Sequence, residues 1–319
     1  MRRFSLILFC FVATTSVRAE TSDTSAPPDT TPTVLSPPVV VEADEPRFVA
    51  PTSRDRIGRI WAPVMINGKG PFRLVLDTGA STSAIIPSVA KSLGVPLHAH
   101  RTVQLHGVTG SAIVPTINAD SMEVGDLYLD NVSLPVVADV FGGADGVLGP
   151  EGLGNKRIHI DFGNDRILIQ SSHAQSPGEN FARVPVRFTA NRLLTFDIRV
   201  GNIRTKAILD TGAQLTLGNG SLREALSQRT RSSVDKTIIG VTLDEQQGKS
   251  FLVPSIAMPG FEVRNMPVTF GDVFIFEQLE MIDEPAILIG MDVIGMLDTL
   301  VIDYKLRELH LRPRNWILQ

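Results

Sequence analysis

The sequence predicts an all-β fold built from two homologous lobes, with only a few short helices. Two observations support this prediction. The second half of the chain repeats landmarks of the first half in the same order, which indicates one structural unit present twice. Within each half, short apolar runs flank glycine-containing turns, a pattern typical of β-hairpins.

Four landmarks make up the repeat. In each copy they are an aspartate that ends an apolar run, a later glycine followed by Val-Thr, an apolar segment ending in glycine, and a further aspartate. The matched pairs are Asp77 and Asp210, Gly107 and Gly240, Gly149 and Gly290, and Asp161 and Asp303. The first two pairs are each 133 residues apart and the last two are 141 and 142 apart, so the second copy holds about eight extra residues between the middle landmarks.

The hairpins follow one another in the same order in both halves. The first turns at Asn67-Gly68 and at Gly201-Asn202, which are strong hairpin signals. The second turns at residues 107–110 and 240–242, and the closing hairpins are RIHIDFGNDRILIQ and LVIDYKLRELHLRP. Short helices are predicted over residues 87–94 and 221–228 and after Gly290, where Asp292 is expected to cap the helix.

The N-terminus has the pattern of a secretory signal peptide over residues 1–19. Arg2 and Arg3 precede the apolar run FSLILFCFVATTSV, and Val17-Arg18-Ala19 suits cleavage after Ala19. The alternative is a membrane anchor, but the run is short for crossing a bilayer. The protein is therefore expected to be exported, periplasmic or secreted, with no stable membrane span after cleavage.

Residues 20–47 are rich in proline and threonine and are predicted to be a disordered linker. The alternative is an inhibitory pro-segment, although the stretch up to residue 46 is acidic and offers no basic residue to a carboxylate site. The two lobes are assigned to residues 48–172 and 183–319, and the loop SSHAQSPGEN lies at their boundary.

The composition excludes some classes of partner. Cleavage after Ala19 would remove three arginines and lower the formal net charge from −4 to −7. The acidic balance and the absence of basic clusters argue against nucleic acid as a partner. Cleavage would also remove the single cysteine, so the exported chain would have no disulfide and would depend on its apolar core.

The two DTGA turns carry the chemistry. Glycine lets the backbone approach the aspartate closely, and backbone N–H groups can then hydrogen-bond a buried carboxylate. If the lobes pack about a pseudo-twofold axis, Asp77 and Asp210 meet, and two such carboxylates share one proton. The pair could act as base and acid on a water molecule and a carbonyl, with no metal or covalent intermediate.

With these motifs the sequence resembles the aspartic proteases of pepsin and retropepsin type, over nearly everything after residue 55. The signature is two DTG turns, each followed later by an apolar-apolar-glycine segment. The alanines after both DTG turns and the short lobes resemble the retroviral branch, whereas one chain carries both halves, as in pepsin. The resemblance implies two retropepsin-like β-barrel lobes related by a pseudo-twofold axis. It also implies an aspartic endopeptidase that needs no cofactor or metal and binds a peptide or protein substrate as an extended strand.

The resemblance also implies residue roles. Asp77 and Asp210 would be the catalytic pair, and Thr78 and Thr211 would hydrogen-bond across the lobe interface. Gly79 and Gly212 would support the catalytic turns. Two flaps over the substrate would comprise Gly107, Val108, Thr109 and Gly110 in the first lobe and Gly240, Val241 and Thr242 in the second. The apolar segments before Gly149 and Gly290 would pack beneath the catalytic turns.

The sequence departs from the family pattern at three points. The second flap reads Gly-Val-Thr-Leu with a polar tail, so the flaps are expected to differ in length and mobility. The flap tyrosine of pepsin is missing, and Gln214 replaces the Ser or Thr found at Ser81. These differences leave pH optimum and specificity open.

Three other interpretations of the dyad motifs stay open. Asp, Thr and Gly are ordinary turn residues, so the two turns could be structural. The chain could be a catalytically silent peptide-binding protein of the same fold. Each lobe could instead pair with another chain, although the short inter-lobe loop makes an intramolecular site simpler.

Three histidines, His98, His100 and His106, lie close together in the sequence and could suggest a metal site. A metal site needs three or four convergent ligands, and no carboxylate is obvious nearby. Solvated or flap-supporting histidines are the favoured interpretation, so no metal is predicted.

Overall fold

The computed structural model of the chain describes residues 60–314, apart from residues 126, 165, 175–176, 179, 190–191 and 227–232, together with three short strands before residue 60. Outside those three strands, the predicted signal peptide (1–19) and linker (20–47) lie beyond the described residues, so both remain predictions. Within the described part of the chain, no helix has the length and apolar character needed to cross a membrane.

The described residues form short strands with four short helices between them. The N-terminal half contains β1 (Ser5–Leu8), β2 (Phe11–Thr14), β3 (Val40–Glu42), β4 (Trp61–Ile66), β5 (Lys69–Leu76), β6 (Ala84–Ile85), α1 (Pro87–Leu93), β7 (His98–His106), β8 (Ser111–Val124), β9 (Leu127–Pro135), β10 (Gly146–Leu148), β11 (Lys156–Asp161) and β12 (Arg166–Ser171). The C-terminal half contains β13 (Ala182–Pro185), β14 (Arg187–Phe188), β15 (Leu194–Val200), β16 (Ile203–Leu209), β17 (Leu217–Gly218), α2 (Gly220–Leu226), β18 (Val234–Ile239), β19 (Glu245–Met258), β20 (Phe261–Phe270), α3 (Phe274–Gln278), β21 (Ala286–Ile289), α4 (Met291–Ile294), β22 (Leu297–Asp303) and β23 (Glu308–Pro313).

The strands form one sheet in each lobe and a third sheet shared by both. The N-terminal sheet has the order β2-β1-β7-β8-β4-β5-β10-β6, with β9 paired to β8. The C-terminal sheet has the order β14-β15-β16-β21-β17-β20-β19-β18. The prediction of an all-β, two-lobe fold with a few short helices is confirmed.

Each predicted hairpin turn joins two paired strands. Asn67 and Gly68, with φ of 50° and 68°, connect β4 to β5. Two successive positive φ angles match the right-handed twist of the strands, which explains why an Asn-Gly pair occupies this turn. Gly201, with φ of 55°, begins the matching turn between β15 and β16.

A strand from later in each half passes beneath each DTGA turn. In the N-terminal lobe β10 runs parallel to β5 and antiparallel to β6, and Leu148 is paired with Leu76. In the C-terminal lobe β21 runs parallel to β16 and antiparallel to β17, and Ile289 is paired with Leu209. The apolar-apolar-glycine segments therefore lie beside the strands that end in Asp77 and Asp210.

The third sheet joins the lobes and was not predicted from the sequence. Its order is β13-β23-β22-β11-β12-β3, and the closing hairpins of the two lobes meet where β11 pairs antiparallel with β22. A buried polar group lies at this junction, where Arg157 is 3.8 Å from the carboxylate of Asp303 and Ser172 Oγ donates to the same carboxylate at 2.8 Å. The hydrogen bonds between β11 and β22 hold the two lobes as one unit.

Candidate active site

The two DTGA turns begin at equivalent points of the lobes. The backbone N–H of Asp77 donates to the carbonyl of Leu148, and that of Asp210 donates to Ile289, both at 3.0 Å. Asp77 is 1% exposed and Asp210 is fully buried. Each aspartate thus stands at the buried end of a central strand, where an ionised carboxylate without partners would be costly.

The glycine of each turn lies against the aspartate of the other lobe. A Cβ atom on Gly79 would stand 2.6 Å from Cγ of Asp210, and one on Gly212 would stand 2.5 Å from Cγ of Asp77. Gly79 also donates its N–H to Oδ1 of Asp77 at 2.9 Å. Because both carboxyl groups contact the same glycine, Asp77 and Asp210 lie side by side across the pseudo-twofold axis.

The threonines of the two turns exchange hydrogen bonds across the lobe interface. The N–H of Thr78 donates to Oγ1 of Thr211, and the N–H of Thr211 donates to Oγ1 of Thr78, both at 3.1 Å. Each hydroxyl then donates to a carbonyl of the opposite lobe, Thr78 to Leu209 at 2.8 Å and Thr211 to Leu76 at 2.6 Å. These four bonds fix the turns relative to each other, because both threonines are buried.

Backbone N–H groups hold both carboxyl groups. Oδ1 of Asp77 accepts from Gly79, and Oδ1 of Asp210 accepts from both Gly212 and Ala213, all at 2.9 Å. Burial, and then the negative charge of Asp77, raise the pKa of the Asp210 carboxyl well above its ordinary value, against the lowering effect of these two N–H donors. The adjacent carboxyl groups therefore titrate as a pair and retain one proton well above the pH at which an isolated aspartate would lose it.

Asp292 does not cap the helix after Gly290, contrary to the sequence-based expectation. The N-cap of α4 is Gly290 and makes no side-chain cap hydrogen bond. The carboxylate of Asp292 instead accepts the hydroxyl of Thr216 at 2.6 Å and its N–H at 2.9 Å. These bonds fasten the end of the second DTGA turn, so the carboxylate serves the site from the first turn of α4.

The two predicted flap tips touch each other. The N–H of Gly240 donates to Oγ1 of Thr109 at 3.0 Å. A Cβ atom on Gly107 would stand 3.2 Å from Cγ1 of Val241, and one on Gly110 would meet the carboxylate of Asp244. The tip residues predicted from the sequence thus form one junction between the lobes.

The N-terminal flap is also anchored in the C-terminal lobe. Val108 is 7% exposed and belongs to an apolar cluster whose other buried members, such as Ile208 and Ile275, all come from the C-terminal lobe. The N–H of Ile275 donates to the carbonyl of Val108 at 3.3 Å, and the ring of His106 stacks on Phe274 at a centroid distance of 5.8 Å. Sequence reasoning missed this anchor, because the five-residue helix α3 is too short and too apolar to show a helical period.

The histidine group does not form a described metal site. His106 is buried and stacked on Phe274, while the side chains of His98 and His100 lie outside the described residues. Within the residues that the structure describes, no group of three or more His, Cys, Asp or Glu side chains is arranged to hold a metal ion.

Several solved structures resemble this chain. Aspartic proteinase from Irpex lacteus is 14% identical, with 82% of this chain and 96% of that chain covered and a TM-score of 0.53. Basic 7S globulin from soybean is 10% identical, with 86% and 93% covered and a TM-score of 0.44. A retropepsin-like aspartic protease from Rickettsia conorii is 17% identical, with 41% and 90% covered and a TM-score of 0.31. No curated protein sequence matches the chain.

The likeness to the Irpex lacteus enzyme supports the fold alone, since the identity is low. The family evidence comes from the sequence itself. The family described as aspartyl protease matches residues 62–151 and 196–293, which include both DTGA turns and together make up more than half of the chain. The chain therefore belongs to the aspartyl protease family.

Proposed function

We propose that the protein is an exported aspartic endopeptidase in which Asp77 and Asp210 hydrolyse peptide bonds with an activated water molecule. The observation that carries the proposal is the reciprocal packing of the two buried carboxyl groups, each against the glycine of the opposite turn. Membership of the aspartyl protease family supports the same reaction class. Export rests on the signal-peptide pattern of residues 1–19.

In the proposed reaction the pair holds one proton when substrate binds. The ionised aspartate takes a proton from water as the water oxygen attacks the carbonyl carbon, and the protonated aspartate gives its proton to the carbonyl oxygen. The resulting diol returns a hydroxyl proton to the pair while a proton passes to the amide nitrogen. The C–N bond then breaks, giving a carboxylic acid and an amine, and the pair again holds one proton.

The turns supply the geometry that this reaction needs. The exchanged hydrogen bonds of Thr78 and Thr211 support a fixed distance between the carboxyl groups. Because both aspartates are buried, a peptide can reach them only after the flap junction between Thr109 and Gly240 separates. We propose that the substrate is a peptide or an unfolded protein segment, bound as an extended strand beneath the flaps.

The test is cleavage of an unfolded protein mixture by the exported form of the chain, followed by mass spectrometry from acid to alkaline pH. Asp77→Asn and Asp210→Asn should each abolish cleavage while thermal unfolding stays cooperative. Asp120→Asn, which changes an exposed carboxylate on β8, is the matched control and should cleave normally. Folded wild-type protein that cleaves at no pH would refute the enzyme proposal, and peptide binding without turnover would then identify a silent peptide-binding protein.

A further inference from the structure

The carboxyl group of Glu151 is attached to the far end of the first DTGA turn. Glu151 follows Gly149, the glycine just after β10, by two residues. Its Oε1 accepts the hydroxyl of Thr82 at 2.9 Å and also accepts the N–H of Ser83. The hydroxyl oxygen of Ser83 in turn accepts the N–H of Gly149 at 3.0 Å. Glu151 and β10 thus hold the residues that come five and six positions after Asp77.

The same strand also holds Asp77 itself. Leu148 accepts the N–H of Asp77 at 3.0 Å, directly before the residue that binds Ser83. The loop from Asp77 to Ser83 is therefore fastened to the end of β10 at its start and, through Glu151, at its finish. A Cβ atom on Gly149 would stand 2.5 Å from Oε2 of Glu151, so the carboxyl group fills the space next to this glycine.

Oε2 of Glu151 is buried and has no hydrogen-bond partner among the described residues. Burial raises the pKa of Glu151, against the lowering effect of the donors on Oε1. An ionised oxygen in that place would lack a donor, so burial shifts the balance from the carboxylate towards the neutral acid. A glutamine side chain has the same shape and can accept the same two hydrogen bonds.

A buried tyrosine responds to both carboxyl groups. Tyr304 is buried, and its pKa is raised first by burial, then by the charge of Asp77 and then by that of Glu151. The charges of Asp77 and Glu151 therefore act on the same buried phenol.

The C-terminal lobe contains the same arrangement. Asp292 follows Gly290 by two residues and accepts the N–H and the hydroxyl of Thr216, while Thr216 Oγ1 accepts the N–H of Gly290 at 3.1 Å. Thr216 and Ser83 each come six residues after the aspartate of their turn. A carboxyl group thus fastens each DTGA turn to the strand beneath it, and the N-terminal lobe uses the longer side chain.

We propose that Glu151 is a positioning residue, which holds Thr82 and Ser83 and thereby keeps the Asp77 carboxyl group aligned with Asp210. The proposal rests on the endopeptidase function proposed above. Glu151 contacts the loop and not the reacting atoms, so its loss should slow the chemical step and leave substrate binding nearly unchanged.

The first test measures kcat and KM for wild type, Glu151→Ala and Glu151→Gln on one peptide that the wild type cleaves. Glu151→Ala should lower kcat roughly 100-fold, as expected for a misplacement of about 1 Å, with KM within about twofold. Glu151→Gln should keep kcat within about threefold. Glu262→Ala, which removes an exposed carboxylate paired with Arg264, is the matched control and should leave both constants unchanged.

A milder variant covers the case in which Glu151→Ala does not fold. Thr82→Val removes one of the two hydrogen bonds to Oε1 and should lower kcat several-fold at constant KM. Equal losses in Glu151→Ala and Glu151→Gln would overturn the proposal, as would a change confined to KM.

A second measurement does not depend on turnover. Carbon-13 NMR of labelled aspartate carboxyl groups follows the coupled titration of Asp77 and Asp210. The separation between their two apparent pKa values should shrink in Glu151→Ala and stay as in wild type in Glu151→Gln. Wild-type protein that cleaves nothing would refute the proposed function alone, because the titration would still decide the role of Glu151. An unchanged titration in folded Glu151→Ala would overturn the positioning role.

Discussion

Replacing Gly79 by alanine tests the packing that brings the two aspartates together. The new methyl carbon would stand 2.6 Å from Cγ of Asp210 and 2.7 Å from both of its carboxylate oxygens. Carbon atoms in ordinary contact are about 3.5 Å or more apart, so turn and carboxyl group must separate by roughly 1 Å. Alanine can adopt the backbone conformation of residue 79, since its φ lies outside the left-handed region. The change therefore acts on the aspartate of the opposite lobe rather than on its own turn.

The expected effect on catalysis is large and the effect on stability is moderate. A displacement of about 1 Å in a reacting group costs on the order of 100-fold in rate, which corresponds to roughly 2.7 kcal/mol. Insertion of a methyl group into a packed interior lowers the free energy of unfolding by about 1–3 kcal/mol. Gly212→Ala should behave alike, because its methyl group would meet Asp77 in the same way.

The assay compares kcat and thermal unfolding for wild type, Gly79→Ala, Gly212→Ala and Gly154→Ala. Gly154 is the matched control because a Cβ atom there would meet nothing within 4 Å. It should retain wild-type kcat and melting temperature. If Gly79→Ala cleaves at the wild-type rate and unfolds at the wild-type melting temperature, the reciprocal packing is refuted. The conclusion that the two carboxyl groups form one site is then refuted as well.

Three further predictions concern the shared proton, the threonine exchange and the flap. The raised pKa of Asp210 stabilises the fold at low pH, and this stabilisation is lost as the pH rises from the ordinary pKa of 3.8 through the raised pKa. The free energy of unfolding of Asp210→Asn should therefore depend less on pH than that of wild type. Denaturant titrations that give both proteins the same pH dependence would contradict this. Thr78→Val removes a buried donor and a buried acceptor and should lower the free energy of unfolding by about 2–4 kcal/mol in urea titrations, whereas Thr78→Ser should recover most of the loss. Val108→Ala removes two buried methyl groups and should weaken the closed flap junction by about 1.6 kcal/mol. Because a peptide can enter only after this junction separates, KM should fall roughly tenfold. Ile113→Ala on the same hairpin changes a side chain that is 74% exposed and should leave KM unchanged, so equal KM values in the two variants would argue against the anchor.

The parts of the fold that depend on residues close together in the chain could be predicted from the sequence. The turn at Asn67-Gly68 and the ends of the strands before both aspartates follow from local conformational preferences, and the internal repeat extends them to the second lobe. The shared sheet could not be predicted in this way, because pairing between β11 and β22 joins segments about 140 residues apart and leaves no local signature.

The supporting carboxyl groups of the site were missed for a different reason. Asp292 was interpreted as a helix cap because an acidic residue in the first turn of a short helix usually serves that end. The repeat held a signal that could have corrected this, since Glu151 and Asp292 both follow the matched glycines by two residues. No described helix directly follows Glu151, so a helix cap would not explain the recurrence, whereas both carboxyl groups bond to the DTGA turn of their own lobe.

Contacts between the lobes build both the centre of the site and the junction of the flap tips. At the centre, the space for Asp210 is set by Gly79 and the space for Asp77 by Gly212, so a larger side chain in either turn displaces the carboxyl group of the other lobe. At the flap tips each lobe likewise supplies a buried valine: Val108 packs in the apolar cluster of the C-terminal lobe, and Val241 packs in the large core that holds residues of both lobes. Each lobe therefore sets the space of the other both at the two aspartates and at the flap tips, so we expect a substitution on one side of either junction to act on the other side.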